Sequence, residues 1–130
     1  MKTNLLKLIL VLSSFTLYLL PTLGQVPQKM SYQAVVRNSS DALVTNTQVG
    51  MQISILQGSE TGTLVYTEIQ TPTTNANGLV SIKFGGGAGF DAIDWSSGPY
   101  FIVVKIDPEG GENYTITGAS QLLSVPYALY

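Results

Sequence analysis

From Met30 onward, apolar and polar positions alternate in short runs, the pattern of strands with one buried face. Met30, Tyr32, Ala34 and Val36 alternate with Ser31, Gln33, Val35 and Arg37, which predicts a first strand over Met30–Arg37. The cleanest alternation runs from Gln48 to Leu56 and sets Val49, Met51, Ile53 and Ile55 on one face. Further strands are predicted over Leu64–Thr71, Leu79–Phe84 and Tyr100–Asp107, all rich in β-branched and aromatic residues. In Tyr100–Asp107, Phe101 and Val103 make the second face apolar too, which predicts a central strand covered on both sides. Tyr114–Thr117 and Ser120–Val125 read as two closing strands separated by a bulge or bend at Gly118. Gln121, Leu123 and Val125 are the residues expected to face the core.

Turn formers punctuate these runs: Asn38–Asp41, Gly58–Gly62, Asn75–Gly78, the glycine-rich Gly85–Gly89, and Asp107–Asn113. Phe90–Trp95 is the one hint of helix, a single turn capped by Asp91 with Phe90 and Ile93 on one side. Six or seven short strands with almost no helix predict an all-β fold, a single antiparallel β-sandwich. No internal repeat interrupts it, and one domain over 25–130 is the expected organisation.

The two ends of the chain read differently. Lys2 and Lys7 precede an apolar run over Leu8–Leu20, and Pro21–Gly24 supplies small residues before Gln25, as in a secretory signal peptide over residues 1–24. That run is shorter than the roughly 20 residues needed to cross a bilayer, so no membrane insertion is expected after cleavage. Ser120–Tyr130 is the most apolar segment outside the leader. Pro126 divides it into a strand and an extension, Tyr127–Tyr130, that either folds back over a hydrophobic groove or leads into a further segment.

Charge and composition narrow the function classes. The chain carries a formal charge of −2, and losing Lys2 and Lys7 leaves four basic against eight acidic residues. An acidic domain argues against nucleic acid and anionic membrane surfaces as partners. The absence of Cys and His removes the commonest nucleophiles, general bases and zinc ligands. No catalytic residue and no cofactor is therefore assigned.

Carboxylates are what remain. Asp94 or Glu109 would have to act in a pair across a cleft to hydrolyse a sugar; solvated turn charges are the expected reading. Asp107, Glu109 and Glu112 share one loop and form a candidate calcium site, with Asp91 or Asp94 approaching from elsewhere, although the spacing matches no helix–loop–helix calcium motif. Gly85–Gly89 lacks the Lys-Ser/Thr of a phosphate-binding loop. Trp95, with Tyr100, Tyr114, Tyr127 or Tyr130, is a candidate aromatic platform for a glycan. Lys29, Glu68 and Asn113 have the residue types of a self-formed isopeptide bond, but Lys29 precedes its strand and Asn113 lies in a turn. Asn38-Ser-Ser and Asn113-Tyr-Thr are glycosylation acceptors in a eukaryotic host.

Five ordered blocks, Met30–Asn38, Ile53–Gly58, Thr74–Leu79, Ile93–Phe101 and Gln121–Tyr130, together resemble the N-terminal module of large secreted proteins of Bacteroidetes bacteria. The resemblance covers residues 28–130. It implies a module directly after the signal peptide, with longer members continuing into collagen-like, coiled-coil or fibre segments, some ending in an endosialidase-type chaperone. It also implies an extracellular or cell-surface structural and adhesive role without enzymatic activity. The Thr74–Gly78 turn further resembles those of transthyretin-like and collagen-adhesin B-type (CnaB-like) sandwiches; an immunoglobulin-like topology is the other expectation.

The function expected from all of this is a non-enzymatic module that meets a protein partner or copies of itself, with Trp95, Tyr127, Leu129 and Tyr130 as the contact residues. A carbohydrate- or calcium-dependent binding module is the alternative.

Overall fold

The computed structural model of the protein describes residues 29–123. The expected signal peptide, Val125 and the contact residues Tyr127, Leu129 and Tyr130 lie outside the described residues. The elements in chain order are β1 (Met30–Val35), β2 (Gly50–Gln57), β3 (Thr63–Gln70), β4 (Leu79–Phe84), a short 3-10 turn (Trp95–Ser97), β5 (Tyr100–Asp107) and β6 (Ile116–Leu122). Among the described residues there is no α-helix, and no helix is long and apolar enough to cross a membrane.

The strands form two antiparallel sheets, β1–β4 and β3–β2–β5–β6. Strict alternation drives this arrangement: Met51, Ile53 and Ile55 of β2 are fully buried, and Val80, Ile82 and Phe84 of β4 face the same core from the other sheet. Each such side chain contributes roughly 1.5–3 kcal/mol on leaving water. The register builds rows across the larger sheet. Ile53 pairs with Val104, and Val104 with Gly118; Ile55 pairs with Ile102, and Ile102 with Ser120. β5 is central, as its composition predicts. Its second face is only partly covered, since Val103 is buried and Phe101 half-buried.

Three local expectations are corrected. First, the closing segment is one strand running straight through Gly118, which pairs with Val104 in unbroken register. Second, its facing is inverted: Ile116, Gly118, Ser120 and Leu122 share the core side, Gln121 pairs with outward Phe101, and Leu123 is 76% exposed. The Leu122–Leu123 doublet satisfies either parity, so alternation alone cannot choose. Third, the helical turn begins later than expected and is capped by Asp94, whose carboxylate accepts the Ser96 amide, not by Asp91. Phe90 still packs into the core, with Ile93 against it.

Candidate functional site

The most organised polar cluster lies where edge strand β3 meets edge strand β4. Tyr66, Glu68 and Gln70 stand two residues apart on β3, so all three project from the same face, toward the β1–β4 sheet. Each reaches the backbone of the opposite chain segment. The Gln70 side-chain amide donates to the Lys83 carbonyl at 2.8 Å, the Gly85 amide donates to Glu68 Oε1 at 2.6 Å, and the Gly87 amide donates to the Tyr66 hydroxyl at 3.0 Å.

The β3 positions rise by two while their partners fall by two, as in an antiparallel ladder. Here side chains replace one of the two backbones. Glu68 is the hub, since Tyr66 and Gln70 also donate to its carboxylate at 2.6 Å each. Burial alone would raise the Glu68 pKa. The amide of Gly85, the Tyr66 hydroxyl, the Gln70 amide and the charge of Lys29 outweigh it and hold the carboxyl below its ordinary value. Tyr66 moves the other way, raised by burial and then by donation to Glu68.

This ladder engages the outward-pointing Lys83 carbonyl at the end of β4 and the amides of Gly85 and Gly87 just beyond it. Even-numbered residues of β1 and β4 face each other, as the Val36 amide on the Gly78 carbonyl continues to show. Lys83 and Gly85 therefore point away from β1, toward β3. The glycine-rich loop owes its composition to the same junction. A Cβ on Gly85 would lie 2.7 Å from the Phe90 ring, and one on Gly87 would lie 2.6 Å from the Tyr66 hydroxyl. No phosphate cradle is needed to explain these glycines.

The acidic loop is a second built feature. Asp107 is 5% exposed, and its oxygens accept the amides of Glu109 at 2.9 Å, Gly111 at 2.9 Å and Asn113 at 3.0 Å. It holds the β5–β6 hairpin closed. Glu109 and Glu112 are exposed. Among the described residues no three metal-ligating side chains gather.

Trp95 sits at the opposite end of β5, 41% exposed, in a chain of edge-to-face aromatic contacts. Its ring lies 5.7 Å from Phe90 at 66° and 5.1 Å from Tyr100 at 68°. Inclined rings of this kind stack into an aromatic rim, and Trp95 and Tyr100 do not form one flat platform. Asp94 accepts the Ser96 and Ser97 hydroxyls and the Ser96 amide, in that order the causes of a carboxyl pKa held below its usual range.

The remaining pairings considered from the sequence are not brought together. Asp94 and Glu109 lie beyond opposite ends of eight-residue β5, about 20 Å apart at the strand rise, too far to flank one glycosidic bond. Lys29 approaches the loop beside Glu68, with its Cε 3.1 Å from a Cβ built on Gly86. Asn113, however, sits in the β5–β6 hairpin, with β2 between β3 and β5; two strand spacings, about 10 Å, separate it from Glu68's strand. The arrangement that sequence reasoning missed is the Tyr66–Glu68–Gln70 row. Its signal was present as three hydrogen-bonding residues at alternate positions of a predicted strand.

Comparison with curated proteins and with solved structures gives no match. A family profile described as a domain of unknown function matches residues 31–119, which span β1 through most of β6. By that match the chain belongs to the DUF8740 family.

Proposed function

We propose that this chain is an exported, non-enzymatic structural and adhesive module, a small β-sandwich of transthyretin- or CnaB-like kind that makes contact with copies of itself or with a protein partner. One observation carries the reading. The carboxylates held in built surroundings, Glu68, Asp94 and Asp107, are each occupied by donors of the fold itself. A general base needs a carboxylate free to take a proton. Glu68 and Asp94 are instead committed to hydrogen bonds that lower their basicity. The leader-like N-terminus supports export to the cell surface or medium, and the resemblance to secreted Bacteroidetes modules supports a structural role.

Light scattering on protein purified after expression of the full chain tests the self-contact form of this reading. A concentration-dependent mass above the monomer is the expected result. A strict monomer that also adheres to no cell surface or protein would overturn it.

A glycan-binding rim at Trp95 is the second reading, favoured by the exposure of that ring. As the only Trp in the chain, it reports directly: a fluorescence change on titration with oligosaccharides supports this reading, and a flat titration with and without calcium removes it.

A further inference from the structure

The connection from β3 to β4 crosses from the larger sheet to the smaller one, and its turn is Asn75-Ala-Asn-Gly78. Asn75 organises that turn. Its carbonyl accepts the amides of Gly78 at 3.0 Å and Asn46 at 3.1 Å. Its side-chain Oδ1 accepts those of Asn77 at 2.8 Å and Leu79 at 3.0 Å. Asn77 is thereby fixed inside a β-turn, exposed and directly before a glycine.

An exposed Asn followed by Gly is a reactive pair. The Gly78 nitrogen can attack Cγ of Asn77, and glycine has no Cβ to hinder the approach. The N–Cγ bond forms, the Cγ–Nδ2 bond breaks, and ammonia departs with the proton that the Gly78 nitrogen gives up through solvent. Water then opens the resulting cyclic imide at one carbonyl or the other, leaving aspartate or isoaspartate.

The folded turn opposes the attack. The Gly78 N–H is directed at the Asn75 carbonyl, and Gly78 is buried with φ +73°. Leu43 and the Val36 carbonyl close its Cα side, each 3.2 Å from a Cβ built there, and its own carbonyl accepts the Val36 amide at 2.8 Å. The nitrogen reaches Asn77 Cγ only after these contacts are released, by local opening of the turn.

We propose that Asn77 is a self-modifying position, deamidated through the Gly78 nitrogen at a rate set by opening of the Asn75 turn. The isoaspartate product loosens the fold where it forms. It places an extra methylene in the backbone beside Gly78, which shifts Gly78 from Val36 and Leu43 at the end where Val35 pairs with Leu79. This chemistry is independent of the adhesive reading.

Peptide mapping by mass spectrometry, after incubation in mildly alkaline buffer, reads the reaction as ammonia lost and water gained at Asn77. The folded wild type is expected to react at least about tenfold more slowly than the same chain unfolded in urea. Asn75→Ala removes two side-chain hydrogen bonds from the turn and should speed the folded-state reaction about tenfold. Asn75→Asp keeps an acceptor oxygen and should stay within about threefold of wild type, circular dichroism confirming the fold of both variants. Equal rates in folded and urea-unfolded wild type overturn the proposal whether or not Asn75→Ala folds. So does an Asn77 that stays unmodified even when unfolded, or a folded Asn75→Ala that reacts no faster than wild type. The deamidated fraction, separated by anion exchange, should melt below the unmodified protein; equal melting temperatures overturn the loosening.

Discussion

The Glu68 carboxylate receives the Gly85 amide at 2.6 Å across the gap between the two sheets. With the Gln70–Lys83 and Tyr66–Gly87 contacts on either side, it ties an edge strand of the larger sheet to the end of the smaller one. β3 and β4 belong to different sheets and share no backbone pairing. A carboxylate on a side chain reaches across, and it accepts Tyr66 and Gln70 as well. Removal of this hub leaves the Gly85 amide and the Tyr66 hydroxyl without their acceptor in a partly buried seam.

Glu68→Ala is therefore expected to destabilise the fold by about 2 kcal/mol, the usual cost of stranding partly buried donors. Glu68→Gln keeps one acceptor oxygen and should cost less. Glu60→Ala, in the exposed Gly58–Gly62 turn, is expected to stay within about 0.5 kcal/mol of wild type. Urea midpoints of the three variants, at equal slopes, check the order.

The same carboxyl makes stability depend on pH. Its folded pKa is depressed below the ordinary value, so the unfolded chain binds its proton more readily. The stabilisation is complete above the unfolded pKa of about 4.3 and is lost as pH falls through the lower folded value. Wild-type stability should decline on acidification below about pH 4.5, and Glu68→Gln should decline less steeply. Thermal melts between pH 7 and pH 3 measure this; parallel curves for the two proteins would refute it.

Much of this fold is legible in the residue pattern, and the exceptions have physical causes. β4 and β5 follow from alternation with their bounds intact, because Leu79–Phe84 and Tyr100–Asp107 are flanked by Gly and Pro breakers. β3 is visible as a strand, but its inner face is not. Val65 and Ile69 are the apolar set, yet Ile69 is 54% exposed and polar Glu68 and Gln70 point inward. A rule that turns apolar residues inward fails where an edge strand must bond to another sheet. Gly118 reads as a bend because glycine weakens strands; its role under Tyr32 depends on a tertiary neighbour. The hairpin function of Asp107 is hidden for a related reason, since a buried cap and a solvated turn charge are spelled alike.

That cap yields a third expectation. Asp107 accepts three amides that close the β5–β6 hairpin. Asp107→Ala should cost about 2–3 kcal/mol, and Asp107→Asn, which retains one carbonyl oxygen, a smaller amount. Wild-type melting should not move on adding millimolar calcium, because the carboxylate is already directed at backbone. A calcium-induced rise in melting temperature would instead assign Asp107, Glu109 and Glu112 to a metal site.

Gly85 and Gly89 allow the crowding at the Glu68 junction to be separated from backbone strain. Both have positive φ, +104° and +92°, in a region that side chains disfavour. An added methyl at Gly85 would lie 2.7 Å from the Phe90 ring, which is itself packed edge-on against Tyr66 and Phe84. At Gly89 nothing lies within 4 Å. Gly89→Ala therefore pays the conformational cost alone, about 1 kcal/mol. Gly85→Ala adds displacement of a packed ring and movement of the amide that Glu68 holds, for a total of about 3 kcal/mol. In a Glu68→Ala background the amide contribution is already lost, so the Gly85→Ala penalty should shrink there while the Gly89→Ala penalty stays constant. Equal penalties for Gly85→Ala in both backgrounds would mean that the ring clash, and not the Glu68–Gly85 contact, sets the cost at this position.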